Sequence, residues 1–377
     1  MQSKSLIRCA AAGSGKTWNI CHDVLKTIKT GAHNRILIIT YTNNGVDTIK
    51  CEYQKQNYGI IDNCVKVYSW FHFLLKEMVK PYQSFITDIN EIKSIDFSQS
   101  YGRINFNAKG TKKRYLNKNS DIKSNVVSEM VLQLEAKSKG LVFKRLKSIY
   151  SHIYIDEIQD MVGDDLEIIK CWIELGINVV CVGDNKQSTY KTHNTIKNKS
   201  KSGANVWSFF KGLEKEKLVC IEENNISRRF NSDLCSFANI VYPNGNDITT
   251  SMVEVTGHDG VYIILHDNAA LYLDYYRPQV LKFDIRTETD GYKSLNFGVC
   301  KGMTFERVLI YPNKPFTNFL FGGKLSSPEK YYVAVTRPKY SIAFVVEEFA
   351  YTDLFEQVNL KIGNSEIFAL KFKTVMI

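Results

Sequence analysis

Continuous apolar runs of strand length alternate along this chain with stretches whose apolar residues return every three or four positions. Leu6–Cys9 and Arg35–Thr40 (RILIIT) are such runs, and Trp18–Ile28 between them has helical spacing. Val65–Val67 followed by Tyr68–Lys76, and His152–Ile155 followed by Leu166–Leu175 and Asn178–Val182, repeat the alternation. Strands that are apolar on both faces need helices over both faces, which predicts a parallel sheet. The pattern resumes in the second half, with strands at Leu218–Ile221, Gly260–Leu265, Gln279–Phe283, Arg307–Tyr311 and Ser341–Val346 and a helix from Asn231 to Val241. Between Glu77 and Lys147 the chain turns polar and rich in Ser, Asn and Lys, with one helical stretch near Val126–Glu135, and from Tyr351 on no element is assigned. The expected architecture is α/β, with a first domain of residues 1–76 and 146–211, an insertion at 77–145 and a second domain at 212–377.

The first strand runs into CAAAGSGKT at Cys9–Thr17, directly ahead of a helix. Glycine tolerates the dihedrals that turn the backbone N–H groups of Gly13, Ser14 and Gly15 toward an anion, and the helix start adds the positive end of its dipole. Such a loop holds a triphosphate: Ala12–Gly15 wrap it, Lys16 reaches the β- and γ-phosphates, and Thr17 ligates Mg2+. Ala10 stands where the strict form of the motif has Gly. A small-residue turn without a ligand is the plain alternative, and the Lys-Thr pair argues against it. The strand at 153–155 ends in Asp156 and Glu157. There Asp156 can hold Mg2+ and Glu157 can polarise an attacking water. Gln187, in GDNKQSTY after the neighbouring strand, is placed to sense a γ-phosphate.

Composition narrows the partners. The chain has 377 residues, 44% of them hydrophobic, as folded proteins do. No apolar run is long enough to span a bilayer and the start lacks the shape of a secretory leader, so a cytoplasmic protein is expected. The 9 cysteines include no CxxC pair and read as reduced thiols. Lys plus Arg number 49 against 39 Asp plus Glu, a formal charge of +10 that is compatible with a polyanionic partner without identifying one. Lys109–Lys118, with Tyr115 interleaved, and Lys186–Lys201 are dense in basic residues, suited equally to a phosphate backbone or to a solvated loop.

Taken in order, AAAGSGKT, TYTNNGVDTIK, VYSWFHFLLK, YIDEIQD, GDNKQSTY, RFNSDLCSFAN, GVCKGMTFERV and YYVAVTRPK resemble the motifs of the UvrD/Rep/PcrA-type superfamily 1 helicases, and the resemblance covers most of the chain. It implies two RecA-like P-loop NTPase domains with ATP and Mg2+ in the cleft between them. Lys16, Thr17, Asp156, Glu157 and Gln187 would line one side. Arg229 and Arg337 would act as arginine fingers from the other, with Gly302 at the nucleotide. Single-stranded or partly duplex DNA would run near Thr42, Asn43, Ser69, Trp70 and Phe71, the two rings stacking on bases. Core packing is the equally weighted alternative for those rings.

Several positions depart from the family pattern. Few residues precede the phosphate loop, so Gln2 would substitute poorly for the upstream glutamine that reads adenine. Thr192 replaces a base-stacking Phe, Thr304 replaces a ribose-contacting Glu, and the stretch between motifs IV and V is too short for a 2B insertion. Two readings follow. One is an ATPase that translocates on or unwinds DNA, 3′ to 5′ by the family's habit. The other is a nucleic-acid-sensing ATPase subunit that regulates a partner nuclease, as in bacterial defence systems, with little unwinding of its own.

Overall fold

The computed structural model describes residues 5–31, 35–86, 91–98, 107–187, 205–243 and 246–373. Its contacts divide the chain into two compact units: Met1–Ala10 with Lys16–Glu223, and Ala11–Gly15 with Asn224–Ile377.

The first unit is built on a six-stranded sheet. Its strands are β1 (Ser5–Ala10), β2 (Arg35–Thr40), β3 (Val65–Ser69), β4 (Tyr150–Ile155), β5 (Asn178–Gly183) and β6 (Val219–Asn224), in the order β3-β2-β4-β5-β1-β6. The β3-β2, β2-β4, β4-β5 and β5-β1 pairs are parallel, with Thr40 opposite Ser69, Ile39 opposite Ile155, Ile155 opposite Cys181 and Cys9 opposite Gly183. Successive side chains leave opposite faces of a strand. In β2, Leu37 and Ile39 therefore enter one core with Trp172 and Phe73, while Ile36 and Ile38 enter another with Ile20, Val24 and Tyr53. This two-sided burial is why the strand reads as an unbroken apolar run.

The segment expected as a separate insertion shares the first of these cores. Helix Val127–Lys137 buries Val127, Met130, Val131 and Leu134 beside Leu37 and Trp172. Its anchor is Asp165, which is 0% exposed. The Asp165 carboxylate accepts hydrogen bonds from Ser128 Oγ, from the Trp70 indole Nε1 at 3.0 Å and from the Val162 backbone N at 3.1 Å. The basic segment 109–118 is likewise tied down: Arg114 pairs with Glu129, and Tyr115 is fully buried and unable to stack on a base. Of Lys186–Lys201, only Lys186 and Gln187 lie within the described residues.

The first unit also extends past residue 211, where the sequence pattern would end it. Val219–Asn224, expected to open the second domain, is the strand beside β1 at the edge of the first sheet. Its burial alternates as an edge strand's does, and sequence order alone does not reveal which sheet an edge strand joins.

The main sheet of the second unit has seven strands: β7 (Gly260–Leu265), β8 (Gln279–Lys282), β9 (Ser294–Asn296), β10 (Phe305–Tyr311), β11 (Pro338–Val346), β12 (Phe355–Ile362) and β13 (Ser365–Phe372), in the order β9-β8-β10-β11-β7-β13-β12. Strands β7 to β11 pair in parallel, and β12 with β13 forms an antiparallel hairpin docked on β7. The hairpin supplies the elements missing beyond Tyr351. Its turn is Gly363-Asn364, with Gly363 at φ 60°, a conformation that costs glycine little. Both units are thus parallel α/β layers, the fold class the pattern implies. Among the described residues no helix is long and apolar enough to cross a membrane.

One polar cluster inside the second unit carries a pH dependence. His258 is 4% exposed, stacks between Tyr262 and Tyr276, and shares a 2.6 Å hydrogen bond with the Tyr272 hydroxyl. Burial pushes its imidazole down to about 3, and the nearby charges of Arg307 and Lys371 push the same way. The ring is neutral in the fold, whereas an unfolded chain protonates it below about pH 6.5. Its contribution is fully present above that pH and is lost progressively as pH falls toward 3, with a slope approaching about 1.4 kcal/mol per pH unit. Urea unfolding at pH 7 and pH 5 should show wild type losing more stability than His258→Phe; equal losses would exclude this residue as the source.

Candidate functional site

Parallel pairing brings the carboxyl ends of the strands in the first sheet to one edge, and ligands of open α/β sheets collect there. Ala10 ends β1 and leads into the phosphate loop. Helix Lys16–Lys29 begins at its last residues. Lys16 Nζ donates to the Ala10 carbonyl at 3.1 Å and lies 3.8 Å from Asp184 Oδ2. Thr17 Oγ1 is 3.4 Å from Asp156 Oδ2, so the hydroxyl and carboxylate assigned to Mg2+ face each other. A hydroxyl and a carboxylate are hard oxygen donors and suit that ion. Among the described residues no three His, Cys, Asp or Glu side chains converge as a metal cage.

The loop itself has the conformation its glycines predict. Gly13 and Gly15 have φ of 75° and 82°, in the left-handed region. A Cβ on Gly13 would also meet Ser227 Oγ and come within 2.7 Å of Arg229 Cβ, and the Gly13 carbonyl accepts from Arg228 N at 2.9 Å. Ser14 is 0% exposed, and its Oγ has no hydrogen-bond partner among the described residues. An orphaned buried hydroxyl in a loop of turned backbone amides fits an anion as the missing acceptor.

Two further side chains belong to this edge and carry no signal of their own in the motif reading. Asp184, directly after β5, is 1% exposed, and its backbone N donates to Gln159 Oε1 at 3.0 Å. Burial pushes the Asp184 carboxyl above the usual carboxylate range, and the charge of Lys16 opposes that shift. Gln159 is 0% exposed, and its Nε2 donates to Glu157 Oε2. Both were present in YIDEIQD and GDNKQSTY. Their position after apolar strands was the available clue. Gln187, assigned from the same motif, is 3% exposed, with its N donating to the Asp184 carbonyl at 3.2 Å.

The residues assigned to nucleic acid divide. Thr42 and Asn43 are exposed at the start of helix Asn43–Gln56, where Thr42 Oγ1 caps Gly45 N at 3.0 Å. Ser69 ends β3 and is buried. Trp70 is 0% exposed and packs against Trp172, so no face of its ring is open to a base. Its stacking role is corrected here to a core role. Phe71 is 8% exposed and meets Tyr41 and the exposed Phe97. Gln2 and Thr192 lie outside the described residues.

In the second unit, Thr336 gathers the arginines. Its carbonyl accepts from Arg229 Nη1 at 3.1 Å, and its Oγ1 accepts from Arg337 Nη2 at 3.0 Å. Arg337 is 1% exposed and also donates to the Val333 carbonyl at 2.8 Å and the Met303 carbonyl at 3.3 Å. Met303 follows Gly302, which is exposed with φ 84°, and Thr304 is exposed beyond it. The motifs read as IV, V and VI therefore meet within one unit. Arg337, expected at a phosphate, is here held by its own unit's backbone, whereas Arg229 is only half-buried.

A parallel sheet with a phosphate loop after one strand and acids after two others on the same edge defines a P-loop nucleotide-binding protein. The model of the AAA domain family matches residues 1–193, and the chain belongs to that family. No curated protein sequence matches the chain. Among solved structures, the chain is similar to the complex of Arterivirus nonstructural protein 10 (helicase) with DNA, with 14% identity and a TM-score of 0.44 over 91% of this chain and 61% of that one. The chain thus spans less than two thirds of that protein's length.

The burial of Trp70 generates a test. Trp70→Phe keeps the ring in the core and removes the donor to Asp165, which should cost about 2 kcal/mol of stability. Binding of a fluorescent single-stranded oligonucleotide below the melting transition should be unchanged. A loss of binding with unchanged stability would restore the stacking assignment.

Proposed function

We propose that this chain is a Mg2+-dependent ATPase that couples hydrolysis to movement along single-stranded or partly duplex DNA. The observation that supports this most is the arrangement of Lys16, Thr17, Asp156 and Asp184 at one strand edge. It is joined by the ordered motifs that resemble those of UvrD-type helicases.

In this reading the turned amides of Gly13, Ser14 and Gly15, with the helix start behind them, hold the phosphates of ATP. Lys16 moves from Ala10 and Asp184 to the β- and γ-phosphate oxygens, exchanging one set of oxygen partners for another. Thr17 and Asp156 would hold Mg2+, which when bound neutralises charge on the β- and γ-oxygens. Glu157 accepts a hydrogen bond from the attacking water and takes its proton as the water oxygen bonds to the γ-phosphorus and the bond from that phosphorus to the β-phosphate oxygen breaks, releasing ADP and phosphate. Gln187, on the loop that carries Asp184, reads the γ-phosphate. Arg229 supplies a guanidinium to the spread negative charge of the transition state, and Arg337 either joins it or holds Thr336, and with it Arg229, in place. Exposed Thr42 and Asn43, at the carboxyl end of β2, are the nucleic-acid contacts that remain available at this edge. The 3′-to-5′ polarity is carried over from the helicase resemblance.

Steady-state hydrolysis with and without single-stranded DNA tests the reading. Wild type should turn over ATP faster with DNA present, and Lys16→Ala should abolish turnover with the fold intact; undiminished turnover in that variant would refute the site. A partial-duplex assay then separates a motor from a regulatory subunit, because strand displacement by the purified chain alone supports the motor.

Arg229→Ala should lower kcat by about 10^3-fold, as loss of an arginine finger does, while nucleotide affinity changes only a few-fold. Equal losses in kcat and affinity would place Arg229 in ground-state binding instead.

A further inference from the structure

Gln159 stands between two groups of the proposed site and touches both. Its Nε2 donates to Glu157 Oε2, and its Oε1 accepts from the Asp184 backbone N at 3.0 Å. Asp184 in turn faces Lys16, 3.8 Å away, and its Oδ1 accepts from Lys186 N at 2.9 Å. The side chain is 0% exposed. A primary amide is the side chain that can donate to a carboxylate at one end and accept from a backbone N–H at the other; a carboxylate or an apolar residue does one of these or neither.

The neighbouring backbone is shaped around this amide. Gly183, the last residue of β5, has no positive φ to explain its glycine. A Cβ there would land on Gln159 Oε1 and lie 2.7 Å from Ile158 Cγ2. Glycine at 183 therefore provides the space the amide occupies. Glu157 needs such support, because its backbone sits at φ 57°, a left-handed conformation that costs a non-glycine residue of order 1 kcal/mol. Its own N donates to Asp156 Oδ1 at 3.0 Å. With the backbone fixed by Asp156 and the carboxylate by Gln159, Glu157 has one defined orientation. A base whose geometry is fixed before the reaction is worth orders of magnitude in rate.

We propose that Gln159 is a positioning residue that aims the Glu157 carboxylate at the attacking water and ties it to the Gly183–Gln187 loop. Turnover then depends on that loop being in place. The inference rests on the ATPase reading above, and its test distinguishes the failure of one from the failure of the other.

The test compares wild type, Gln159→Glu and Gly183→Ala for kcat, KM, binding of a fluorescent ATP analogue and melting temperature. Gln159→Glu keeps the shape and the acceptor for Asp184 N but removes the donor to Glu157. Gly183→Ala leaves Gln159 in the chain and displaces its amide. Both should lower kcat about 10-fold or more, with KM and analogue affinity within about 3-fold of wild type, the signature of an interaction used in the transition state. A kcat within 2-fold of wild type in a folded Gln159→Glu would overturn the proposal. So would parallel losses in kcat and analogue affinity. If wild type itself hydrolyses ATP no faster than Lys16→Ala, the ATPase reading fails, and the positioning role fails with it.

Discussion

Parallel register is the constraint on which the rest of the first unit depends. With Thr40 opposite Ser69, Ile155 opposite Cys181 and Cys9 opposite Gly183, the strand ends at Ala10, Thr40, Ser69, Ile155 and Gly183 fall on one edge. Residues far apart in the chain, such as Thr17 and Asp156, then meet with no need for any loop to be long. Helices over both faces force the strands to be apolar, so polar chemistry is confined to the residues just past each strand. A slip of one residue in β4 would move Asp156 away from Thr17 and turn Ile153 and Ile155 out of their core.

Burying charge at this edge is costly, and the structure meets the cost in two ways. Asp165 is enclosed and accepts three hydrogen bonds from protein groups, which makes it a joint between Trp70, Ser128 and the loop at Val162. Asp184 is as deeply buried, with Lys16 nearby and its Oδ2 without a hydrogen-bond partner among the described residues. Burial raises its proton affinity and Lys16 lowers it, so the carboxylate depends on a lysine that the proposed mechanism would send to phosphate. The first aspartate holds elements together; the second is balanced between burial and the charge of Lys16.

The fold was most legible where a strand is buried on both faces, and at sheet edges a strand could be seen without its partner. Arg35–Thr40 and Gly260–Leu265 match their apolar runs to the residue. Val219–Asn224 is half exposed at a sheet edge, and which sheet it joins is decided by packing that has no local signature. The C-terminal hairpin alternates as SEIFALKF and turns at Gly363-Asn364, so a period of two and a two-residue turn could have found it. Among the residues expected at the site, Thr17 lies beside Asp156, while Lys16 lies beside Asp184, which the motifs did not single out. Trp70 could not be placed from sequence, because an aromatic after a strand packs inward or faces a ligand with the same local pattern, and the partner that decides is Asp165, far along the chain.

The second unit shows why Arg229 and Arg337 differ although both come from arginine-bearing motifs. Arg337 is 1% exposed and donates to the Val333 and Met303 carbonyls and to Thr336 Oγ1. Arg229 is half-buried and touches the same Thr336 through its carbonyl. The two guanidinium groups thus hold different atoms of one residue, Arg229 its carbonyl and Arg337 its hydroxyl. Arg337 fixes Thr336 and the turn after Gly302, which in turn fixes where Arg229 can point. Arg337 and Thr336 together thus join the three sequence motifs within one unit.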